Sequence, residues 1–213
     1  MNKTVIGVLA SGRGSNLQAI IDAIETDRLN VKIGIVISDN PEANVLTRMA
    51  GSDIPVLCID RRQFADRRQF EEAVAEELNI RHVELVVLAG FMRILSRYFI
   101  DRFAGKIMNI HPSLLPAFAG KDAQQQALQY GAKVTGCTVH FVDEGMDSGP
   151  IILQQAVPVL EGDSTETLSE RILHAEHILY PRALALYCAG QLIIEDRRVR
   201  IAEKTTAISE GHE

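Results

Sequence analysis

An open α/β sheet, mostly parallel and with helices on both faces, is the fold this sequence predicts. Three observations carry it. Strand-like apolar runs alternate with helical segments from Thr4 to about Ile110, the pattern of parallel strands joined by crossover helices. The first run, Thr4–Ala10, is apolar at almost every position, as a strand buried on both faces would be. After Pro116 the alternation gives way to two strands, a long helix and a hairpin, which adds a C-terminal antiparallel portion. A chain of 213 residues suits one such domain.

In order, Thr4–Ala10 predicts the first strand, Ser11–Asn16 a glycine turn, and Leu17–Ile24 a helix with apolar residues at helical spacing. Val31–Ser38 is the second strand, and a helix from Glu42 to Ala50 stops at Gly51. Ile54–Ile59 is a third strand, which Pro55 places at a beginning or an edge. Asp66–Leu78 predicts an amphipathic helix, with Phe70, Val74 and Leu78 four apart. Leu85–Leu88 is a buried strand ending at Ala89-Gly90. A helix over Ser96–Phe103 leads to a strand at Lys106–Ile110, closed by Pro112 and Pro116. Asp122–Tyr130 is helical, with Asp122 capping. Thr135–Val142 and Ile151–Val157 are strands joined by the turn-rich loop Asp143–Pro150. Ser164–Cys188 is a long helix with Ser164 as cap, and Pro181 is expected to kink or divide it. Gln191–Glu195 and Arg198–Ile201 form a closing hairpin, and the polar tail from Glu203 is expected to be loose.

Hydrophobic residues make up 46% and charged residues 23%, with a net charge of −6. No long basic run appears, and the cluster Arg61, Arg62, Arg67 and Arg68 is interrupted by Asp60 and Asp66. This argues against nucleic acid as a partner. No apolar run is long enough to span a bilayer, and Met1 leads straight into a strand without a basic leader. Cys58, Cys137 and Cys188 are odd in number and widely spaced, so neither a disulfide frame nor a zinc site is expected. Each is read as a small buried hydrophobe. A cytoplasmic protein with no metal is the expectation.

In an open parallel sheet, ligands bind beyond the carboxyl ends of the strands. Four suggestive segments fall there: the glycine turn, Gly90–Leu95, Asn109–His111 and Asp143–Gly149. In the turn, Gly12 and Gly14 let backbone approach a ligand, and the helix opening at Ser15 and Asn16 suits an anion. A plain strand–helix turn would use the same glycines. Asn109 and His111 are two apart, so in extended backbone they point to one side. They bring an amide donor and a group that can hold a proton near neutral pH. A lone Asn-x-His serves a turn as readily as a reaction. Asp147 is either a solvated turn residue or folds back beside His111, where a carboxylate would favour the charged ring. In the second case Asn109 and His111 would offer two donors to an oxyanion, and Asp147 could take a proton from an attacking amine. No Ser or Cys stands out as a nucleophile, which favours direct transfer. His140, inside a strand, is read as a satisfied core or supporting histidine. His174 and His177 lack the further ligands of a metal set. Glu176 is either a surface residue or a ligand contact.

Ser11-Gly-Arg-Gly-Ser-Asn-Leu-Gln-Ala-Ile20, Val87–Ser96, Asn109-Ile-His-Pro-Ser-Leu-Leu-Pro116 and Asp147-Ser-Gly-Pro150 together resemble the phosphoribosylglycinamide formyltransferase family, in order from residue 4 to about residue 195. The Asn-Ile-His-Pro-Ser-Leu-Leu-Pro run alone marks the wider formyltetrahydrofolate-dependent superfamily; the glycine-turn motif with the short length selects this branch. The resemblance implies a formyltransferase domain over 1–202, with a Rossmann-like phosphate-binding half (1–105), a catalytic and folate-binding half (106–202), and a flexible tail (203–213). It implies formyl transfer from 10-formyltetrahydrofolate to glycinamide ribonucleotide in de novo purine synthesis, in a monomer or homodimer.

By similarity, Asn109, His111 and Asp147 match the catalytic trio. Gly14, Ser15 and Asn16 match the substrate-phosphate turn, and Glu176 a substrate contact. Arg67, Met92, Arg93, Ile94, Leu95, Asn109, Asp143 and Glu144 match folate contacts, and the Leu115–Pro116 bond is expected to be cis. Two departures stand out. Gly120-Lys-Asp122 replaces a Gly-Leu-His of some members. Leu173 stands where some place a lysine near the phosphate, and Arg13 or Arg171 is the suggested replacement. The rival readings are a formyltetrahydrofolate hydrolase, another amine formyltransferase, and a non-catalytic sensor of a phosphorylated ligand.

Overall fold

The computed structural model describes residues 3–202. The expected loose tail from Glu203 lies outside them. Nine strands form one sheet in the order β3-β2-β1-β4-β5-β6-β7-β9-β8. β1 (Thr4–Ala10), β2 (Val31–Ser38), β3 (Val56–Cys58), β4 (Leu85–Leu88) and β5 (Ile107–His111) are all parallel. β6 (Val134–Phe141) pairs antiparallel with β5, and β7 (Ile151–Pro158) antiparallel with β6. The hairpin of β8 (Leu192–Glu195) and β9 (Arg198–Ile201) joins through one parallel rung, Ile151 to Arg198. The expected class is observed: a mostly parallel N-terminal portion and a largely antiparallel C-terminal one. Pro55 sits before the edge strand β3, where its missing N–H costs no ladder bond.

The strands alternate between two cores. Ile6, Val8 and Ala10 of β1 and Met108 and Ile110 of β5 pack with α1 (Ser15–Glu25), α2 (Asn44–Arg48) and α6 (Thr165–Cys188). Leu9, Val86, Leu88 and Ile107 pack on the other face with α3 (Arg67–Ile80) and α4 (Arg97–Arg102). Asn109 and His111 share the parity of Ile107, so both leave the sheet on the α3/α4 side. The strand order turns back between β1 and β4, and that switch point is where an open α/β sheet opens a crevice.

Several local expectations need correction. α2 covers only Asn44–Arg48, fewer residues than Glu42–Ala50. Asp122 stands at the N-cap of α5 (Ala123–Tyr130) but in left-handed backbone, and its side chain makes no cap bond. Pro181 does not divide α6, which runs unbroken with a capping box between Ser164 and Thr167. Pro181 is itself buried, and packing against β6, β7 and α1 sustains the helix past the missing N–H. Of the cysteines only Cys137 is buried; Cys58 and Cys188 are half-buried.

Candidate active site

His111 ends β5 almost fully buried, and Asp147 reaches it from the β6–β7 loop. Asp147 Oδ2 lies 3.2 Å from His111 Nδ1 and accepts the Gly120 backbone N–H at 2.9 Å. The aspartate is aimed by its backbone, in the left-handed region at φ 51°, which Asp tolerates better than most residues. The loop turns closely beside β6: a Cβ on Gly149 would stand 1.8 Å from the Phe141 carbonyl oxygen. Asp143 shapes the same loop by accepting Gly145 N–H and Ser148 Oγ–H, at 3.1 and 2.5 Å.

His111 Nε2 faces the Phe118 carbonyl at 2.9 Å. A carbonyl only accepts, so Nε2 carries a hydrogen. Opposite Asn109 across the β5–β6 ladder stands His140. Its Nδ1 meets the Phe141 carbonyl at 2.8 Å and its Nε2 meets Asn109 Nδ2 at 3.2 Å. Burial pushes the His140 pKa down and outweighs Asp147, whose Oδ1 is 3.8 Å away. The neutral ring with hydrogen on Nδ1 therefore accepts from Asn109 and fixes which way its amide points. His140 is the supporting histidine the sequence suggested, and its specific partner is Asn109. The expectation that Asn109 and His111 stand as two free donors needs refinement. His111 has both nitrogens engaged, and Asn109 keeps one of its two amide hydrogens.

A cleft of about 400 Å³ opens on the α3/α4 side, lined by Met92, Arg93, Ile94 and Leu95 together with Arg61, Arg67, Phe70, Glu71, Phe91 and Lys121. Met92 and Ile94 are among the most exposed apolar side chains of the protein, as in an apolar cleft that a ligand covers. Arg67 borders it as expected, paired with the buried Glu71 at 3.1 Å and donating to the Ile94 carbonyl. Arg93 borders it too, but its guanidinium is held by the buried Asp39. Asp143 and Glu144 stand outside this lining. Asp143 is spent inside its loop, and Glu144 pairs with Arg97 at 3.3 Å. Lys121, the variant position, lies in the cleft wall. Sequence reasoning missed Glu71, Asp39 and the roles of Arg61 and Lys121. The Arg67–Glu71 spacing of four was the one legible signal.

At the glycine turn, Gly14 is the left-handed N-cap of α1 with φ 72°. A Cβ there would stand 2.7 Å from Val45, so α2 closes directly over the turn. The amides before Gln18, the first to bond back within the helix, precede the intrahelical ladder. Ser15 lines a second cleft, of about 380 Å³, with Gln18, Asp22, Arg28, Arg48 and His177. Arg48 Nε donates to the Arg13 carbonyl at 3.2 Å, so Arg48 brings charge beside the turn. Arg171 does not; Asp163 and the Pro158 carbonyl hold it. Asn16 turns inward and donates to Glu176 at 2.8 Å. Glu176 is buried, and burial pushes its pKa up to about 7 against the lowering bond from Asn16. Ser11 ties the glycine turn to the Gly90–Met92 segment, its Oγ accepting Met92 N–H at 2.9 Å and its N–H donating to the Gly90 carbonyl at 3.1 Å. The Leu115–Pro116 peptide is cis.

One rim that carries an amide, an imidazole and a carboxylate together with a cleft and a helix N-terminus suits a group-transfer enzyme. The profile of the Formyl transferase family matches residues 4–184. A phosphoribosylglycinamide formyltransferase of Bacillus subtilis (strain 168) is 43% identical over 177 residues, 83% of this chain and 91% of that protein. The crystal structure of glycinamide ribonucleotide transformylase 1 from Symbiobacterium toebii superposes with a TM-score of 0.92 at 50% identity, covering 94% of this chain and 95% of that one. The human trifunctional purine biosynthetic protein adenosine-3 is 47% identical over 188 residues, 88% of this chain and 19% of that protein. The chain thus spans under a fifth of the trifunctional relatives it matches. It belongs to the formyl transferase family, on the phosphoribosylglycinamide formyltransferase branch.

Proposed function

We propose that the chain transfers the formyl group of 10-formyltetrahydrofolate to the amine of N1-(5-phosphoribosyl)glycinamide, a step of de novo purine synthesis. The observation that carries this reading is the contact of His111 with Asp147, brought together from two distant segments; neither residue lines the Met92–Leu95 cleft, whose nearest link to them is Lys121, next to the Gly120 N–H that Asp147 accepts. The pterin lies in that cleft with Arg67 toward its anionic tail. The phosphate sits on the amides of Gly14, Ser15 and Asn16 with Arg48 beside them, and Glu176 takes a hydroxyl of the substrate. The amine attacks the formyl carbon. The developing oxyanion takes the remaining Asn109 N–H and draws the His111 Nε2–H away from the Phe118 carbonyl. Asp147 holds the His111 ring and accepts the amine proton, directly or through one water. The tetrahedral intermediate then collapses: the carbonyl re-forms, the bond from that carbon to folate N10 breaks, and the proton taken by Asp147 passes to N10, so that tetrahydrofolate leaves. Asn109 reaches its donor role only while His140 is neutral. The three cysteines are free, which suits a reducing, cytoplasmic compartment.

The purified chain is to be incubated with phosphoribosylglycinamide and 10-formyltetrahydrofolate while free tetrahydrofolate is followed. Release that requires the amine supports transfer, amine-independent release marks a hydrolase, and no release leaves a sensor. His111→Ala and Asp147→Asn are each expected to lower turnover on the order of 10²–10³. Near-full transfer by both variants refutes the mechanism.

A further inference from the structure

We infer that Glu71 is a positioning residue for the cleft: it sets the Arg67 guanidinium so that the cleft prefers folates carrying an anionic glutamyl tail. The inference rests on the folate reading above. Glu71 is a carboxylate at 2% exposure, and a buried charge is costly unless its oxygens are met by donors. Three donors converge on it: Arg67 Nε at 3.1 Å, the Ser96 backbone N–H at 2.8 Å, and the Ser96 hydroxyl. Arg67 Nη2 in turn donates to the Ile94 carbonyl. The four groups close a ring from α3 through the cleft segment and back. Arg67, Glu71 and Ile94 all line the cleft.

The consequence follows from counting hydrogens. A guanidinium has five N–H groups. Glu71 takes the one on Nε and Ile94 takes one on Nη2, so the plane of the fork is fixed and the other three remain for a ligand. A carboxylate can meet such a fork in bidentate fashion. Arg67 is half-exposed, and without Glu71 it would sample many rotamers and lose that order.

The test compares 10-formyltetrahydrofolate with its tail-less counterpart, 10-formyltetrahydropteroate, in steady-state kinetics on the full chain. For the wild-type chain the tail is expected to lower KM roughly tenfold or more, as a charge-assisted pair does. Glu71→Gln, which keeps the shape but loses the charge, is expected to erase most of that ratio. KM for phosphoribosylglycinamide should move less than about twofold, since the lost contact is uniform binding of one ligand. Arg67→Ala combined with Glu71→Gln should show the same tail ratio as Arg67→Ala alone, because the two act through one contact. A Glu71→Gln chain that keeps the wild-type ratio, or effects that add in the double variant, overturns the inference. If Glu71→Gln does not fold, Glu71→Asp retains the charge one methylene short of Arg67 and must show the same loss of ratio; retention there also overturns it. A wild-type chain that turns over neither folate sinks the folate reading, and this inference with it.

Discussion

Glu176 is a residue whose chemistry is altered by its place. Burial pushes its pKa up to about 7, so near neutral pH it is balanced between carboxylate and acid. Among the described residues, Oδ1 of its partner Asn16 is buried without a hydrogen-bond partner. The folded chain holds the Glu176 proton more tightly than the unfolded chain, where the carboxyl titrates near its ordinary 4.5. The stability from this group is therefore whole below about pH 4.5 and is lost as pH rises through 7. A shift of that size corresponds to at most about 3.4 kcal/mol. Glu176→Gln retains an acceptor for Asn16 and removes the titration. In urea unfolding the variant should gain on the wild type between pH 5 and pH 8, by roughly 2 kcal/mol. A difference that stays flat with pH would refute the burial account. In the sequence Glu176 is ambiguous between surface and site. The packing of α6 on α1, which joins residues 160 apart, buries it and removes the surface reading.

α6 does more than cover the sheet. One turn after Glu176, Tyr180 is fully buried with its hydroxyl 2.8 Å from the Met108 carbonyl and 3.0 Å from that of Leu88. Those carbonyls belong to β5 and β4, just before Asn109 and before the Ala89–Leu95 segment. One hydroxyl hydrogen serves the two acceptors by turns and holds the strand ends together where both begin to deliver site residues. Tyr180→Phe removes the donor and leaves both carbonyls short of it, at an expected cost of about 1–2 kcal/mol. Urea unfolding monitors this, and a loss under about 0.3 kcal/mol would mean that the ladder alone satisfies those groups. The helices show where reading by element succeeds and where it fails. Ser164 was legible as a cap, because a cap is local chemistry. A division of the helix at Pro181 does not occur, because the proline's penalty is local whereas the burial that offsets it comes from strands far away in sequence. Asp122 was misread for a different reason: its left-handed backbone is imposed by the loop before it, which no helix rule contains.

Across the whole molecule the alternation of strands and helices, the glycine turn and the positions of Asn109, His111 and Asp147 were all legible, since each depends on spacing or on one local motif. The cross-sheet partners were not. Asp39 with Arg93, Glu71 with Ser96 and His140 with Asn109 join segments that meet only once strand order and register exist. That topology also separates the two proposed ligand seats. The Met92–Leu95 cleft lies on the α3/α4 side, and the cleft beside Ser15, Arg48 and His177 lies on the α1/α6 side; Ser11, in the turn that leads to Ser15, is bonded to Met92. A single hydrogen-bonded sheet carries both, so filling one seat has little to reorganise in the other. Phosphoribosylglycinamide and tetrahydrofolate, which has no formyl group to transfer, should therefore stabilise the chain independently. With each ligand at a hundred times its Kd, each contributes about 2.7 kcal/mol, and the pair should sum to within about 0.5 kcal/mol. Urea unfolding with neither, either and both ligands measures the sum. A departure larger than about 1 kcal/mol would show instead that the seats are coupled, and Ser11→Ala would then be the variant expected to abolish the difference.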